Sequence, residues 1–182
     1  MRKLTYYLFF CETLLFINEK IIAFREPSKN REFKKVDYKD KPESYFKKEL
    51  PAEAYYVCRQ KGTERAFSGK YDKFYEKGTY MCACCGGDYP VYSSATKFDS
   101  KTGWPSFWAP IEPSHIKLVE DKSLIHRFLG VRTEVLCARC ESHLGHVFDD
   151  GPPPTGKRYC MNSVALHFVP EGQKPKRTFP AE

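Results

Sequence analysis

His143-Leu144-Gly145-His146-Val147-Phe148-Asp149-Asp150-Gly151, joined through a Pro-rich interval to Arg158-Tyr159-Cys160-Met161-Asn162-Ser163, is the stretch around which this chain is organised. It brings two histidines, an acidic pair, an arginine and one cysteine into residues 143–163. The interval, Pro152-Pro153-Pro154-Thr155-Gly156, is too rich in proline for helix or central strand, because each Pro removes a backbone donor and fixes φ. It is a loop, and it turns the chain back so that the histidines can come to lie beside the cysteine. A cysteine is a working nucleophile only as thiolate. Its free pKa of about 8.5 falls beside Arg or protonated His, and Arg158 stands two residues from Cys160. Imidazoles nearby can move protons near neutral pH. A structural loop with a buried, inert thiol explains the same residues and stays open at this point.

Outward from this stretch, the cysteines carry the next signal. Of 8 in the chain, four form two Cys-x-x-Cys pairs, Cys82/Cys85 and Cys137/Cys140, with 51 residues between them. Such paired turns are the expected signature of a tetrahedral four-thiolate zinc site, since a two-residue spacer lets both sulfurs of a turn face one ion. Gly86, directly after Cys85, lets the chain fold back behind the metal. Four thiolates leave no position for water, so one structural Zn2+ per chain is expected. A redox Cys-x-x-Cys is the rival reading. Cys84 competes with Cys82 or Cys85 as ligand, but the spacing of those two matches the second pair. A secreted disulfide framework would spread its cysteines more evenly through a shorter chain.

At 182 residues the chain is long enough for one domain with a core and a tail, and 41% hydrophobic content with 15% aromatic residues argues for a folded globule. The formal net charge of +7 is diffuse; residues 25–48, for instance, hold nine basic residues and five acidic ones. That suits a solvated, weakly basic surface rather than a nucleic-acid groove, so no nucleic-acid partner is expected. Met1-Arg2-Lys3 precedes an uncharged apolar run from Leu4 to Cys11, which Glu12 breaks. The run is far short of the roughly 20 residues of a membrane span, and no stable membrane insertion is expected. No small-x-small cleavage site follows it, and Glu12 and Glu19 speak against a mitochondrial presequence. Cytoplasm is favoured, with the secretory pathway and the mitochondrion left open.

Residues 1–42 read as a targeting or linker segment, 43–170 as the folded domain and 171–182 as a polar tail. Tyr45, Phe46 and Leu50 form a short amphipathic pattern, Pro51 suits a first helical position, and Ala52–Val57 can make a second short helix. Gln60–Gly69 reads as an ordered loop. After residue 77 the pattern is β: Gly78–Met81, Tyr89–Ser93, Ile116–Glu120, Ile125–Leu129, Val131–Leu136 and Tyr159–Val169 are strand-like. Short strands separated by Gly and Pro turns point to antiparallel sheets rather than βαβ units.

Taken together, Gly62-Thr63-Glu64-Arg65-Ala66-Phe67, Thr96-Lys97-Phe98-Asp99-Ser100, Gly103-Trp104-Pro105-Ser106-Phe107, His143-Leu144-Gly145-His146-Val147-Phe148 and Arg158-Tyr159-Cys160 resemble the methionine-R-sulfoxide reductases of the MsrB type. The resemblance runs in order and nearly without gaps from about residue 46 to Phe168 and includes all four paired cysteines. It implies a mainly β, MsrB/Mss4-like fold of two antiparallel sheets with short N-terminal helices and a four-cysteine zinc site. It also implies reduction of methionine-R-sulfoxide in oxidised proteins, a damage-repair activity belonging to the oxidative stress response. On this resemblance Cys160 is the nucleophile that attacks the sulfoxide sulfur, leaving a sulfenic acid that a second thiol reduces. His143, His146 and Arg158 are the candidates to activate the thiol and protonate the oxygen. Asn162 and Asp150 resemble a second layer orienting water or imidazole, and Trp104 an aromatic wall against the substrate methyl. Without the resemblance, a core role for Trp104 is the default.

Many members of that family carry a recycling Cys just before Gly-Trp-Pro-Ser-Phe, where this chain has Thr102. Cys58 is the best substitute by position, Cys84 and Cys11 weaker ones, and a thioredoxin-like donor acting directly on Cys160 is the alternative. A monomer is expected. Two rivals remain: a zinc-ribbon module that docks protein or RNA without catalysis, and a peroxide-reactive thiol sensor using the same cysteine. The first does not account for His143, His146, Arg158 and Cys160 occurring with Trp104 in family order, and the second is told apart by its substrate.

Overall fold

After Lys77 aromatic and β-branched residues recur at short intervals, and the regular structure there is strand with short 3-10 turns. The computed structural model describes residues 37–121 and 132–176. The expectations for residues 1–36 with Cys11, for strand-like Ile125–Leu129 and for the last six residues lie outside that range. Two short helices come first, α1 (Glu43–Glu49) and α2 (Ala52–Gln60). Pro51 is not the first helical residue of α2, as expected, but its N-cap. Nine strands follow among the described residues: β1 (Gly78–Cys82), β2 (Pro90–Ser93), β3 (Lys97–Phe98), β4 (Ser106–Phe107), β5 (Ile116–Asp121), β6 (Arg132–Cys137), β7 (His143–Phe148), β8 (Arg158–Met161) and β9 (Leu166–Pro170). They form two antiparallel sheets, ordered β2-β1-β9 and β3-β4-β8-β7-β6-β5. This is the mainly β architecture the sequence led us to expect.

Two expectations change in detail. Tyr159–Val169 is not one strand. After Met161 a 3-10 turn, Ser163–Ala165, carries the chain from the large sheet into the small one. The turn is held by a buried carboxylate: Glu64 accepts hydrogen bonds from the backbone N–H of Ser163 (2.8 Å) and Val164 (3.1 Å). Conversely, His143–Phe148 is itself a strand, pairing with β6 on one side and β8 on the other. The Pro-rich loop therefore closes a hairpin between the two halves of the opening motif.

Alternation along β8 divides the work of the large sheet. Tyr159 and Met161 turn to the core and pack against it, while Arg158 and Cys160 share the opposite face. Between the sheets, Phe107 stacks on Tyr92 with ring centroids 4.5 Å apart and meets Tyr80 edge-on at 5.0 Å. Tyr80, Tyr92 and Phe107 are fully buried, and rings of this size each bury a large apolar area between the two layers. On α2, Val57 and Cys58 are buried, and Arg59 reaches the Cys140 carbonyl (3.1 Å) and the Ser142 hydroxyl (3.2 Å). The N-terminal helices are thereby fastened to the second cysteine turn.

Candidate active site

The two cysteine turns come from different sheets. Cys82 ends β1, Cys85 closes the 3-10 turn after it, and Gly86 takes φ +76°, a left-handed conformation that costs glycine little. Cys137 ends β6 and Cys140 follows in the next turn. All four are buried, and their sulfurs lie within 4.8 Å of one another. Cys82–Cys140 and Cys85–Cys137 are 3.8 and 3.4 Å apart. Four sulfurs at about 2.3 Å from one ion stand about 3.8 Å apart at tetrahedral angles, so this set can hold a metal ion with little movement. Cys84 is not part of the four-sulfur cluster; it is fully buried beside it, near Cys58 as well as Cys82.

On the outer face of the large sheet, strand register sets a row of side chains. Ser106 on β4 pairs with Cys160 on β8, Cys160 with His146 on β7, and His146 with Glu134 on β6. A cavity of about 360 Å³ opens over this row, and Cys160, His143, His146, Trp104 and Asn162 all line it. Residues far apart in sequence thus share one volume, which is the arrangement a reaction at Cys160 requires.

Each member is fixed by its neighbours. His143, only 2% exposed, donates Nδ1–H to the Glu134 carboxylate at 2.8 Å, and Lys61 binds the other carboxylate oxygen at 2.8 Å. His143 Nε2 is buried without a hydrogen-bond partner. His146 Nε2 lies 3.0 Å from Asp121 Oδ2, and the two imidazoles stand 5.2 Å apart, edge to face. Burial lowers the pKa of His146, with Asp121 opposing, so its neutral form is favoured. Trp104 donates its indole N–H to the Glu64 carbonyl at 3.1 Å, which orients the ring at the cavity wall.

Four residues with expected roles have a setting that differs from the expectation. Cys160 does not have its thiol pKa depressed at rest: burial raises it, and the Thr102 hydroxyl and the Arg158 guanidinium recover only part of that. Asp150 reaches neither imidazole; it grips Arg158 with two hydrogen bonds of 2.8 Å, while the guanidinium lies 4.3 Å from the centre of the Phe148 ring. Asn162 spends its amide on the fold, accepting from the Glu64 N–H (3.0 Å) and donating to the Leu144 carbonyl (3.1 Å). Cys58 is not among the cavity residues; it is closed in on the buried face of α2 against Cys84.

Glu134, Lys61, Asp121 and Glu64 were missed by sequence reasoning. Glu134 alone left a signal, a carboxylate inside an otherwise strand-forming run.

Comparison with known proteins places this geometry. Residues 50–170 match the SelR domain family. The chain is 59% identical over 125 residues to "Peptide methionine sulfoxide reductase MsrB" of Pseudomonas syringae pv. syringae, covering 69% of this chain and 91% of that one. It is 54% identical over 132 residues to the protein of the same name from Methanosarcina barkeri, covering 72% and 89%. To "Peptide methionine sulfoxide reductase B1, chloroplastic" of Arabidopsis thaliana it is 52% identical over 141 residues, covering 78% and 67%. With a matching domain over most of the folded chain and relatives more than half identical, the chain belongs to the MsrB family of methionine-R-sulfoxide reductases, a family of oxidoreductases.

Proposed function

We propose that this enzyme reduces methionine-R-sulfoxide in oxidised proteins through a sulfenic acid on Cys160, which external thiols then recycle. The single observation that carries the reading is the shared cavity, which Cys160 and His143 both line, with His143 Nε2 buried and without a hydrogen-bond partner. The substrate methyl lies against the Trp104 indole. His146, neutral at rest, takes the Cys160 proton, and Arg158 supports the resulting thiolate electrostatically. The thiolate attacks the sulfoxide sulfur. His143, oriented by Glu134, delivers a proton from Nε2 to the oxygen. The attack makes an S–S bond; the oxygen then passes to Cys160 as S–OH while that S–S bond and the substrate S–O bond both break, so methionine sulfur gains two electrons and cysteine sulfur loses two. One thiol then displaces the OH as water, forming a mixed disulfide, and a second thiol frees Cys160.

Because Cys58 is sealed away from the cavity, a thioredoxin-like protein or a small thiol supplies both reducing equivalents. The metal expected at Cys82, Cys85, Cys137 and Cys140 is zinc, which when bound ties the end of β1 to the turn after β6 and stays out of the chemistry. Residues 43–170 form the catalytic domain, acting as a monomer in repair after oxidative stress. The test is turnover of R- and S-methionine sulfoxide with dithiothreitol, then with thioredoxin, by wild type, Cys160→Ser and Cys58→Ser. Only the R epimer should be reduced, Cys160→Ser should be inactive, and Cys58→Ser should match wild type. Turnover by Cys160→Ser would remove the nucleophile from this account.

A further inference from the structure

On the β4 side of Cys160 lie three linked hydroxyls, of which Thr102 is in contact with its sulfur and Ser106 is its cross-strand neighbour. The Cys160 sulfur is 3.9 Å from Thr102 Oγ1, Thr102 Oγ1 is 2.8 Å from Ser100 Oγ, and Ser100 Oγ is 2.7 Å from Ser106 Oγ. Ser106 in turn donates to the Trp104 carbonyl at 3.3 Å. The loop is shaped to present this chain: Lys101 and Gly103, on either side of Thr102, both have positive φ, 61° and 89°. The Asp99 carboxylate holds the Lys101 N–H at 3.0 Å, which stabilises a conformation unfavourable for lysine. The charged and titratable groups facing Cys160 lie elsewhere: Arg158 on its own strand, His146 on β7, and His143, Glu134, Asp121, Arg132 and Lys61 around the cavity.

We propose that Thr102, Ser100 and Ser106 form a relay of hydroxyls that reverses its donor direction when Cys160 ionises, so that Thr102 becomes a hydrogen-bond donor to the thiolate. This rests on Cys160 being the nucleophile. The proton count supports it. With the thiol present there are four hydrogens for four contacts: S–H to Thr102, Thr102 to Ser100, Ser100 to Ser106, Ser106 to the Trp104 carbonyl. In the thiolate three hydrogens remain, and turning each hydroxyl satisfies Ser106 to Ser100, Ser100 to Thr102 and Thr102 to sulfur. The one contact given up is the 3.3 Å bond to Trp104, the longest of the oxygen contacts. No proton travels along the relay; each hydroxyl keeps its own and rotates, while the Cys160 proton leaves toward the cavity. The backbone that carries the substrate-binding indole therefore feels whether the nucleophile is charged. Ser100 acts only through its partners and is a positioning residue, whereas Thr102 touches the reacting atom.

The test is alkylation of the intact, metal-loaded protein by iodoacetamide across the neutral and alkaline range, followed by mass mapping of the Cys160 peptide. Wild type is compared with Thr102→Val, Thr102→Ser and Ser100→Ala. A hydrogen bond to a charged group is strong enough that Thr102→Val should raise the alkylation midpoint by about one pH unit, making reaction below it about tenfold slower. Thr102→Ser should restore the wild-type profile, and Ser100→Ala should shift it part of the way. A Thr102→Val or a Ser100→Ala profile that coincides with wild type overturns the relay. Should Thr102→Val fold poorly, Ser100→Ala still decides the matter. Turnover by Cys160→Ser would overturn the nucleophile assignment instead, an outcome the alkylation profiles do not touch.

Discussion

Gly145→Ala should cripple the site without altering any other side chain that lines it. Gly145 pairs with Met161 across β7 and β8, beside the row that holds Cys160 and His146. A Cβ there would run into the Cys160 carbonyl oxygen and lie 2.9 Å from Met161 Cα, closer than real Cβ atoms come. Both obstructing atoms are backbone, so no rotamer change relieves the overlap and the strands must part. Gly145 has no positive φ, so alanine suits its backbone and gains about 0.4–1 kcal/mol by restricting the unfolded chain. Forcing extra volume into a packed interior costs about 1–3 kcal/mol, so the clash wins. A net loss of about 1–2 kcal/mol corresponds to a Tm lower by about 2–8 °C for a chain of this size. The catalytic loss should be larger in proportion. Displacing reacting groups by about 1 Å costs on the order of a hundredfold in rate, and the strands that move carry Cys160 and His146. Calorimetry and R-sulfoxide turnover with dithiothreitol measure the two effects. A variant that melts within about 0.5 kcal/mol of wild type and keeps its rate would show that β7 and β8 are not held this tightly, and the reasoning would fail.

Glu64→Gln keeps the shape but removes the charge that accepts two backbone N–H groups of the turn after β8, and it should cost about 1–3 kcal/mol by denaturant unfolding. Elemental analysis should find one zinc per chain, and Cys140→Ser should lose it together with about 10 °C or more of Tm. Because burial raises the Cys160 pKa above its unfolded value, the thiol form favours the native state. That contribution is complete below the unfolded thiol pKa and is lost as pH rises through the folded one. Wild type should therefore lose stability relative to Cys160→Ser only on the alkaline side, as read from Tm against pH. Thr102→Cys sets a thiol beside the Cys160 sulfur, and after one turnover without reductant the variant should show a mass lower by about two hydrogens, the sign of a disulfide.

Much of the site was legible before the fold was known, because its chemistry depends on residue identity and spacing. Paired Cys-x-x-Cys turns can do little but converge, and a Pro-rich interval must turn the chain, so the thiolate cluster and the nearness of Cys160 to the histidines followed from local covalent geometry. What escaped was everything that depends on burial and cross-strand register. His143–Phe148 did not read as a strand, since its Gly and His positions weaken alternation, yet pairing on both sides makes it one. The state of the Cys160 thiol could not be read from Arg158 two residues away, because desolvation by the surrounding fold outweighs one neighbouring charge. Glu134 became visible as the support of His143 only when β6 was laid beside β7, and the distance of Cys58 from the cavity only when α2 was seen to close it against Cys84. Spacing along the chain determines which groups can meet a shared partner. Which face each group takes, and how dry that face is, belongs to the packed sheet alone.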